Sequence, residues 1–269
     1  MQQSLLTVSQ PELWKLALMP GPKSLDVALY PPLARDEMVW QSFPYAEPTL
    51  QAIEEIVYAN PELLADYKSV CCIIDYTPYV TIPDDVTAEE AAIIYDASVE
   101  GIGCVSGEPA EVYTCGAGAA IALRQPRAVA DFIRRTFFNI SMRSAAADHI
   151  AYFVSRTDPG AVVYAPYENG RVKITALNAG RLLLANEFEA PTIADAAYYI
   201  MWAVQELGLG LSETSVYTGG VGLRHSELPR LIGRYIPGTA PMPIPQLRYR
   251  GSKSTFEAPL ELLIHPLCE

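Results

Sequence analysis

The chain carries one plan of strands and helices twice, and a duplication of that kind restricts the fold more than any single motif in it. The first copy runs from Leu13 through three short apolar segments to Pro48-Thr49-Leu50, then a helical stretch and the apolar strand Val70-Cys71-Cys72-Ile73-Ile74. The second runs from Ala161 through three similar segments to Pro191-Thr192-Ile193, then a helix and the strand Ser215-Val216-Tyr217. Nearly the same length separates proline and strand in both, Pro48 to Ser69 and Pro191 to Thr214. A repeated unit predicts two stacked, pseudo-equivalent lobes with a cleft between them. The expected division is residues 1–158 for a first lobe with an inserted segment and 159–269 for a second.

In the first copy, Trp14 to Leu18 and Ser24 to Tyr30 flank the turn formers Pro20-Gly21-Pro22, and Met38 to Phe43 supplies a third segment, which together predict an antiparallel meander. Tyr79 to Pro83 leads to Thr87-x-x-Glu90, a capping-box pattern that opens a helix carrying Ala91, Ile94, Tyr95 and Ser98. The neighbouring Asp84-Asp85 complements the positive end of that helix, a role that outweighs a catalytic one. Glu108 to Thr114 and Ala119 to Leu123 read as strands around Gly116-Ala117-Gly118. Pro126 fits the first turn of a helix through Phe137, and a further helix from Ala145 to Ser155 ends before Asp158-Pro159-Gly160, the turn that sets the lobe boundary.

The second meander uses Val162 to Tyr164, Val172 to Leu177 and Leu182 to Leu184, with turns at Asn169-Gly170 and Ala179-Gly180. Asn-Gly between apolar runs is a strong hairpin signal, because both turn positions must accept positive φ. Thr192 and Asp195 resemble a second capping box, and Ile193, Ala196, Ala197, Ile200, Val204 and Leu207 share one face of the helix that follows. Tyr198 and Trp202 form another stripe on it, for which core packing outweighs a lobe-interface or partner-binding role. The last ~30 residues, proline-rich around Pro241 to Pro245, predict an extended strand and a short terminal helix.

Composition removes several classes of function. With 269 residues, 50% of them hydrophobic, the chain can fill a sizeable core. Its N-terminus lacks a basic region followed by a long apolar run, and no stretch approaches the ~20 apolar residues of a membrane span, so a soluble cytoplasmic protein without direct membrane insertion is expected. The net charge of −12 opposes attraction to phosphate backbones, which argues against nucleic acid as a partner. The cysteines Cys71, Cys72, Cys104, Cys115 and Cys268 form no Cys-x-x-Cys pair, and His149, His225 and His265 have no metal-ligand spacing. No Gly-x-Ser-x-Gly elbow is present, and Cys115-Gly116 has no recognisable histidine partner. Asp75, at the end of its strand, is a candidate cleft carboxylate, since strand ends face ligand crevices in open α/β sheets.

Three antiparallel strands, a helix, a parallel strand and further helices, present twice, resemble the actin-like ATPase fold: an α/β architecture of two duplicated ribonuclease H-like lobes, with mixed sheets flanked by helices. The run Gly180 to Phe188, then Ala194 to Ile200 and Tyr217-Thr218-Gly219-Gly220, resembles an uncharacterised bacterial domain-of-unknown-function family with that fold, over nearly the whole chain. More distantly, Ile82-Pro83-x-x-Val86-Thr87-x-x-Glu90 and Ala122 to Val129 are similar to segments of the actin-like cytoplasmic adaptors of type IV pilus and type II secretion assembly.

What the resemblance implies can be tested against the loops. In active members of the fold, an Asp-x-Gly type loop in each lobe cradles phosphates with backbone N–H groups and positions hydrated magnesium with carboxylates. Aligned on Gly21, the first loop here reads Met19-Pro20-Gly21-Pro22-Lys23-Ser24, with methionine where the carboxylate is expected. The second reads Ala165-Pro166-Tyr167-Glu168-Asn169-Gly170, with alanine for the aspartate and tyrosine for the glycine. Prolines remove further donors from both. Thr218-Gly219-Gly220 matches the glycine pair that lies against adenosine, although a strand-to-helix turn that needs glycine accounts for it as well. The candidate residues of a degenerate nucleotide cleft are therefore Thr218, Gly219, Gly220, Gly21, Lys23 and Ser24, with no catalytic or metal residue among them. The expectation is a pseudo-ATPase that acts as an adaptor or scaffold for an unknown protein partner and needs no cofactor. The alternative is a nucleotide-binding switch that holds ATP and magnesium with weak or no hydrolysis.

Overall fold

A computed structural model describes residues 6–33, 37–75, 78–99, 109–156, 158–219, 227–243, 245, 248–251 and 258–267. The protein divides into two compact units. One comprises Met1–Thr114, Ala120–Asp148 and Gln246–Glu269, and the other Cys115–Ala119 and His149–Pro245.

In the first unit, β1 (Lys15–Pro20), β2 (Ser24–Tyr30) and β3 (Glu37–Pro44) form the expected antiparallel meander, followed by α1 (Leu50–Ala59) and β4 (Ser69–Ile74), which returns parallel to β1. The Thr49 hydroxyl opens α1 by accepting the N–H of Ala52. Between β4 and α3 (Arg127–Thr136) lie β5 (Tyr79–Pro83), α2 (Ala88–Val99), β6 (Glu111–Gly116) and β7 (Ala119–Leu123), whose strands form a separate three-stranded sheet. The capping box at α2 is made as the sequence predicts, with Thr87 N–H donating to Glu90 and Glu90 N–H to the Thr87 hydroxyl. After α3 come β8 (Ile140–Ser144) and α4 (Ala145–Val154). Sequence reading gives no strand at β8. Its residues alternate without a continuous apolar face, and its parallel pairing with β4 is what makes it one.

Alternation on β2 shows how the sheet is covered on both faces. Leu25, Val27 and Leu29 join Leu16, Leu18, Val70 and Cys72 in a core shared with Ile53 and Val57 of α1 and Val129, Phe132 and Ile133 of α3. The opposite face carries Ser24, Asp26, Ala28 and Tyr30, in line with the period of two.

The second unit repeats the order. Strands β9 (Ala161–Glu168), β10 (Arg171–Asn178) and β11 (Arg181–Glu189) form a meander, α5 (Ile193–Glu206) follows, and β12 (Thr214–Gly219) lies parallel to β9. Helix α6 (Glu227–Ile232) and β13 (Gly238–Pro241) complete a sheet ordered β11-β10-β9-β12-β13. Both predicted two-residue hairpins form, with positive φ at Asn169 and Gly170 and at Ala179 and Gly180. The capping box of Thr192 and Asp195 is complete. Ala196, Ile200 and Val204 are buried against β9 and β10 side chains, each larger one contributing about 1.5–3 kcal/mol of apolar burial. Tyr198 and Trp202 depart from the expectation of core packing, being 63% and 38% exposed. They lie on the far side of a helix whose opposite face already fills the core.

The tail forms the expected strand and helix, β14 (Arg248–Gly251) and α7 (Leu260–Ile264), but as part of the first unit and not of the 159–269 lobe. β14 pairs with β3, which extends the first sheet to β14-β3-β2-β1-β4-β8, and the Tyr30 hydroxyl donates to Leu262 O within α7. Backbone pairing at a free sheet edge, far away in sequence, fixed this assignment. Among the described residues, no helix is long and apolar enough to cross a membrane.

Candidate functional site

The first candidate loop joins β1 to β2, and its hydrogen bonds close it on itself. Gly21 N–H donates to Ser24 O at 2.8 Å, while the Gly21 carbonyl accepts from the Tyr45 hydroxyl at 2.7 Å. Tyr45 N–H donates to Lys23 O at 2.9 Å. Pro20 and Pro22 have no N–H to offer. Gly21, Lys23 and Ser24 are thus gathered in one turn, with the glycine N–H turned inward and the Lys23 side chain exposed.

A carboxylate overlooked by the loop comparison sits beside this turn. Asp26 on β2 is the direct cross-strand partner of Met19, so a carboxylate lies one strand away from the methionine that the resemblance sets in the expected carboxylate position. It is only 7% exposed. The Ser24 hydroxyl donates to Oδ2 at 2.7 Å and Trp40 Nε1 to Oδ1 at 3.1 Å. Burial pushes the Asp26 carboxyl above the usual aspartate range, partly opposed by donors on Ser24, Ser42 and Trp40, and the negative charge of Asp75 adds to the rise. Asp75 itself is half-buried directly after β4. The signal in the sequence was a lone carboxylate in the apolar run Ser24 to Tyr30. With both its oxygens engaged by neutral donors, Asp26 is suited to holding the meander together and poorly placed to coordinate a hydrated cation. Among the described residues, no group of three or more His, Cys, Asp or Glu side chains is arranged to hold a metal.

In the second unit, the corresponding residues are absorbed by the sheet. The Thr218 hydroxyl is fully buried and donates to Ala165 O at 2.6 Å, which locks β12 to β9. Gly219 is buried opposite Pro166 with φ 107°, a conformation that requires glycine. Gly220 lies outside the described residues. Tyr167 is buried, and Asn169-Gly170 makes the hairpin turn. Phe153 stacks on Tyr164 at 4.2 Å, and Tyr164 on Tyr217 at 5.4 Å. Tyr164 also bonds to Asp158, and Arg156 Nε donates to both.

The histidines that are described have packing roles. His149 is buried on α4 with its ring 4.9 Å from Phe153, and His265 is buried 5.5 Å from Tyr30. His225, Cys104 and Cys268 lie outside the described residues, whereas Cys71, Cys72 and Cys115 are buried, and the Cys115 thiol donates to Ala119 O at 3.1 Å. Burial pushes the Cys72 thiol far up, which leaves it an inert small hydrophobe. The donor set of the two loops does not fit a triphosphate with magnesium: one loop spends its glycine N–H internally, both contain proline, and the nearby carboxylate is already hydrogen-bonded.

Comparison with solved structures accounts for this architecture. The chain is similar to a Bacteroides thetaiotaomicron protein with actin-like ATPase fold and unknown function, at 16% identity and TM-score 0.77, covering 97% of this chain and 98% of the other. It is similar to a chain of the PilM–PilN type IV pilus biogenesis complex, at 10% identity and TM-score 0.58, covering 89% and 91%. The cytoplasmic domain of EpsL, an inner membrane component of the type II secretion system of Vibrio cholerae, aligns over 94% of both chains at 13% identity and TM-score 0.44. No curated protein matches the sequence. A family model does match, over residues 3–238, so the duplicated sheets belong to a protein of the actin-like ATPase fold that is a member of DUF3822, a family described as protein of unknown function.

Proposed function

We propose that this chain is a non-catalytic actin-like protein that works in the cytoplasm by binding another protein, as an adaptor or scaffold. The observation that carries the reading is the closed first loop, where Gly21 N–H is bonded to Ser24 O between two prolines and methionine stands in the carboxylate position. Phosphoryl transfer relies almost wholly on positioning and charge stabilisation by metal and donors, so a fold that keeps its sheets while losing those groups retains a platform and not an active site. The likeness to a chain of a PilM–PilN complex supports a binding role for such a platform.

Titration calorimetry with ATP and ADP, with and without magnesium, tests the proposal. Silence at concentrations that reveal millimolar binding is expected. Magnesium-dependent binding would replace the reading with a nucleotide switch. Hydrolysis well above background that is lost in Asp75→Asn would overturn it outright.

A further inference from the structure

Helix α5 turns an aromatic face outward, and the chemistry of that face selects among the segments that could cover it. Tyr198 and Trp202 are exposed one helical turn apart, on the side away from the core. Phe188 stacks on Tyr199 at 4.5 Å and meets Trp202 edge-on at 5.8 Å, while Tyr199 meets Tyr198 at 5.3 Å, so the inner rings hold the outer ones in place. Scattered surface rings are ordinary, but a connected and braced group is a preorganised platform. Among the described residues, nothing accepts from Trp202 Nε1 or bonds to the Tyr198 hydroxyl. The helix contains no Lys or Arg. Its two charged residues are Asp195, engaged with Thr192 in the capping box, and Glu206, exposed one turn beyond Trp202.

Three kinds of segment could lie over such rings, and the donors distinguish them. A helix bonds its own carbonyls internally and offers none to an indole N–H. An added strand requires backbone pairing at a sheet edge, which the outer face of a helix does not provide. A polyproline II segment has no internal hydrogen bonds, so its carbonyls remain free to accept, and its prolines bring ring surface without donors of their own. The spacing agrees with the third. One turn of α5 sets the two rings about 6 Å apart along its axis, and two residues of polyproline II span about 6.2 Å, so one X-Pro pair matches the gap between Tyr198 and Trp202. Glu206 favours a cation beside the proline run, and the net charge of −12 acts in the same direction. We infer that the outer face of α5 binds a proline-rich, polyproline II segment of a partner protein with an arginine or lysine next to its prolines. This gives the adaptor role above a class of partner and rests on that reading.

The test uses fluorescence anisotropy of the full chain with a labelled peptide of alanine-proline repeats ending in arginine, against the same peptide with every proline replaced by alanine. The proline peptide is expected to bind at least about tenfold more tightly. Trp202→Phe keeps a ring but removes its N–H and is expected to lose about fivefold. Tyr198→Ala is expected to lose about tenfold, while Ile93→Ala on α2 changes nothing. Glu206→Gln should cost about threefold with the arginine-ended peptide and nothing with one ending in glutamine. Tyr198 and Glu206 are exposed, so their substitution leaves the fold intact, which unchanged thermal unfolding verifies. Equal binding of both peptides would mean attraction by charge alone and overturn the proposal. So would absence of binding at millimolar peptide, undiminished binding by both ring variants, or a sedimenting dimer that Tyr198→Ala dissolves. Magnesium-dependent ATP binding would defeat the pseudo-ATPase reading without altering these outcomes, so the two failures can be told apart.

Discussion

Replacing Thr218 by valine separates a structural hydroxyl from a ligand-binding one. The side chain is 0% exposed and its hydroxyl donates to Ala165 O at 2.6 Å, across the parallel pair of β12 and β9. Valine has nearly the same shape, so no cavity opens, and the change removes a single buried hydrogen bond that water cannot replace. That costs about 1–2 kcal/mol, which lowers Tm by about 2–8 °C in a protein of this size. Thermal unfolding followed by circular dichroism, with urea titration to check that the m-value is unchanged, measures the loss. Hydrogen exchange should place the loosening in β9 and β12 and leave β1 to β4 untouched. A variant as stable as the parent would mean that the hydroxyl is not held in the sheet, and the assignment of Thr218 to the fold would fall.

Asp26 gives a pH signature. Because its carboxyl is held above the usual aspartate range, the neutral form suits the fold, and the associated stability is fully present below about pH 4 and lost as pH rises through the folded value. Asp26→Asn is therefore expected to gain stability relative to the parent between about pH 4 and 7, and urea midpoints measured across that range would expose a constant or opposite difference. Thr192→Ala removes one side of the capping box at α5 and should cost about 1 kcal/mol in urea denaturation. Gly170→Val places a β-branched residue at φ 73° and should destabilise by more than 1 kcal/mol, roughly, whereas the same change at an extended glycine would not.

Local chemistry made much of this protein legible in advance. Thr87 with Glu90 and Thr192 with Asp195 announce helix starts because capping involves residues three apart. Asn169-Gly170 announces a hairpin because its φ requirement is local, and the 3.6-residue period of Ala196, Ile200 and Val204 identifies the buried face of α5. The same locality explains the misses. Nothing within β8 says that β4 will pair with it, and nothing within β14 says that it will join the edge of β3. The aromatic stripe of Tyr198 and Trp202 has helical spacing, but which face of α5 meets solvent depends on what occupies the other.

By itself, the sequence determined the duplicated order of strands and helices, their caps and turns, and the methionine, alanine and prolines that stand in the first turn of each meander, since each is a property of residues close together along the chain. Tertiary structure alone decided that Asp26 stands across from Met19, that the hydroxyl of Thr218 is spent inside a sheet, and that the tail belongs to the first unit. These depend on pairing between distant segments, where register and burial are settled jointly by surfaces that no single stretch contains.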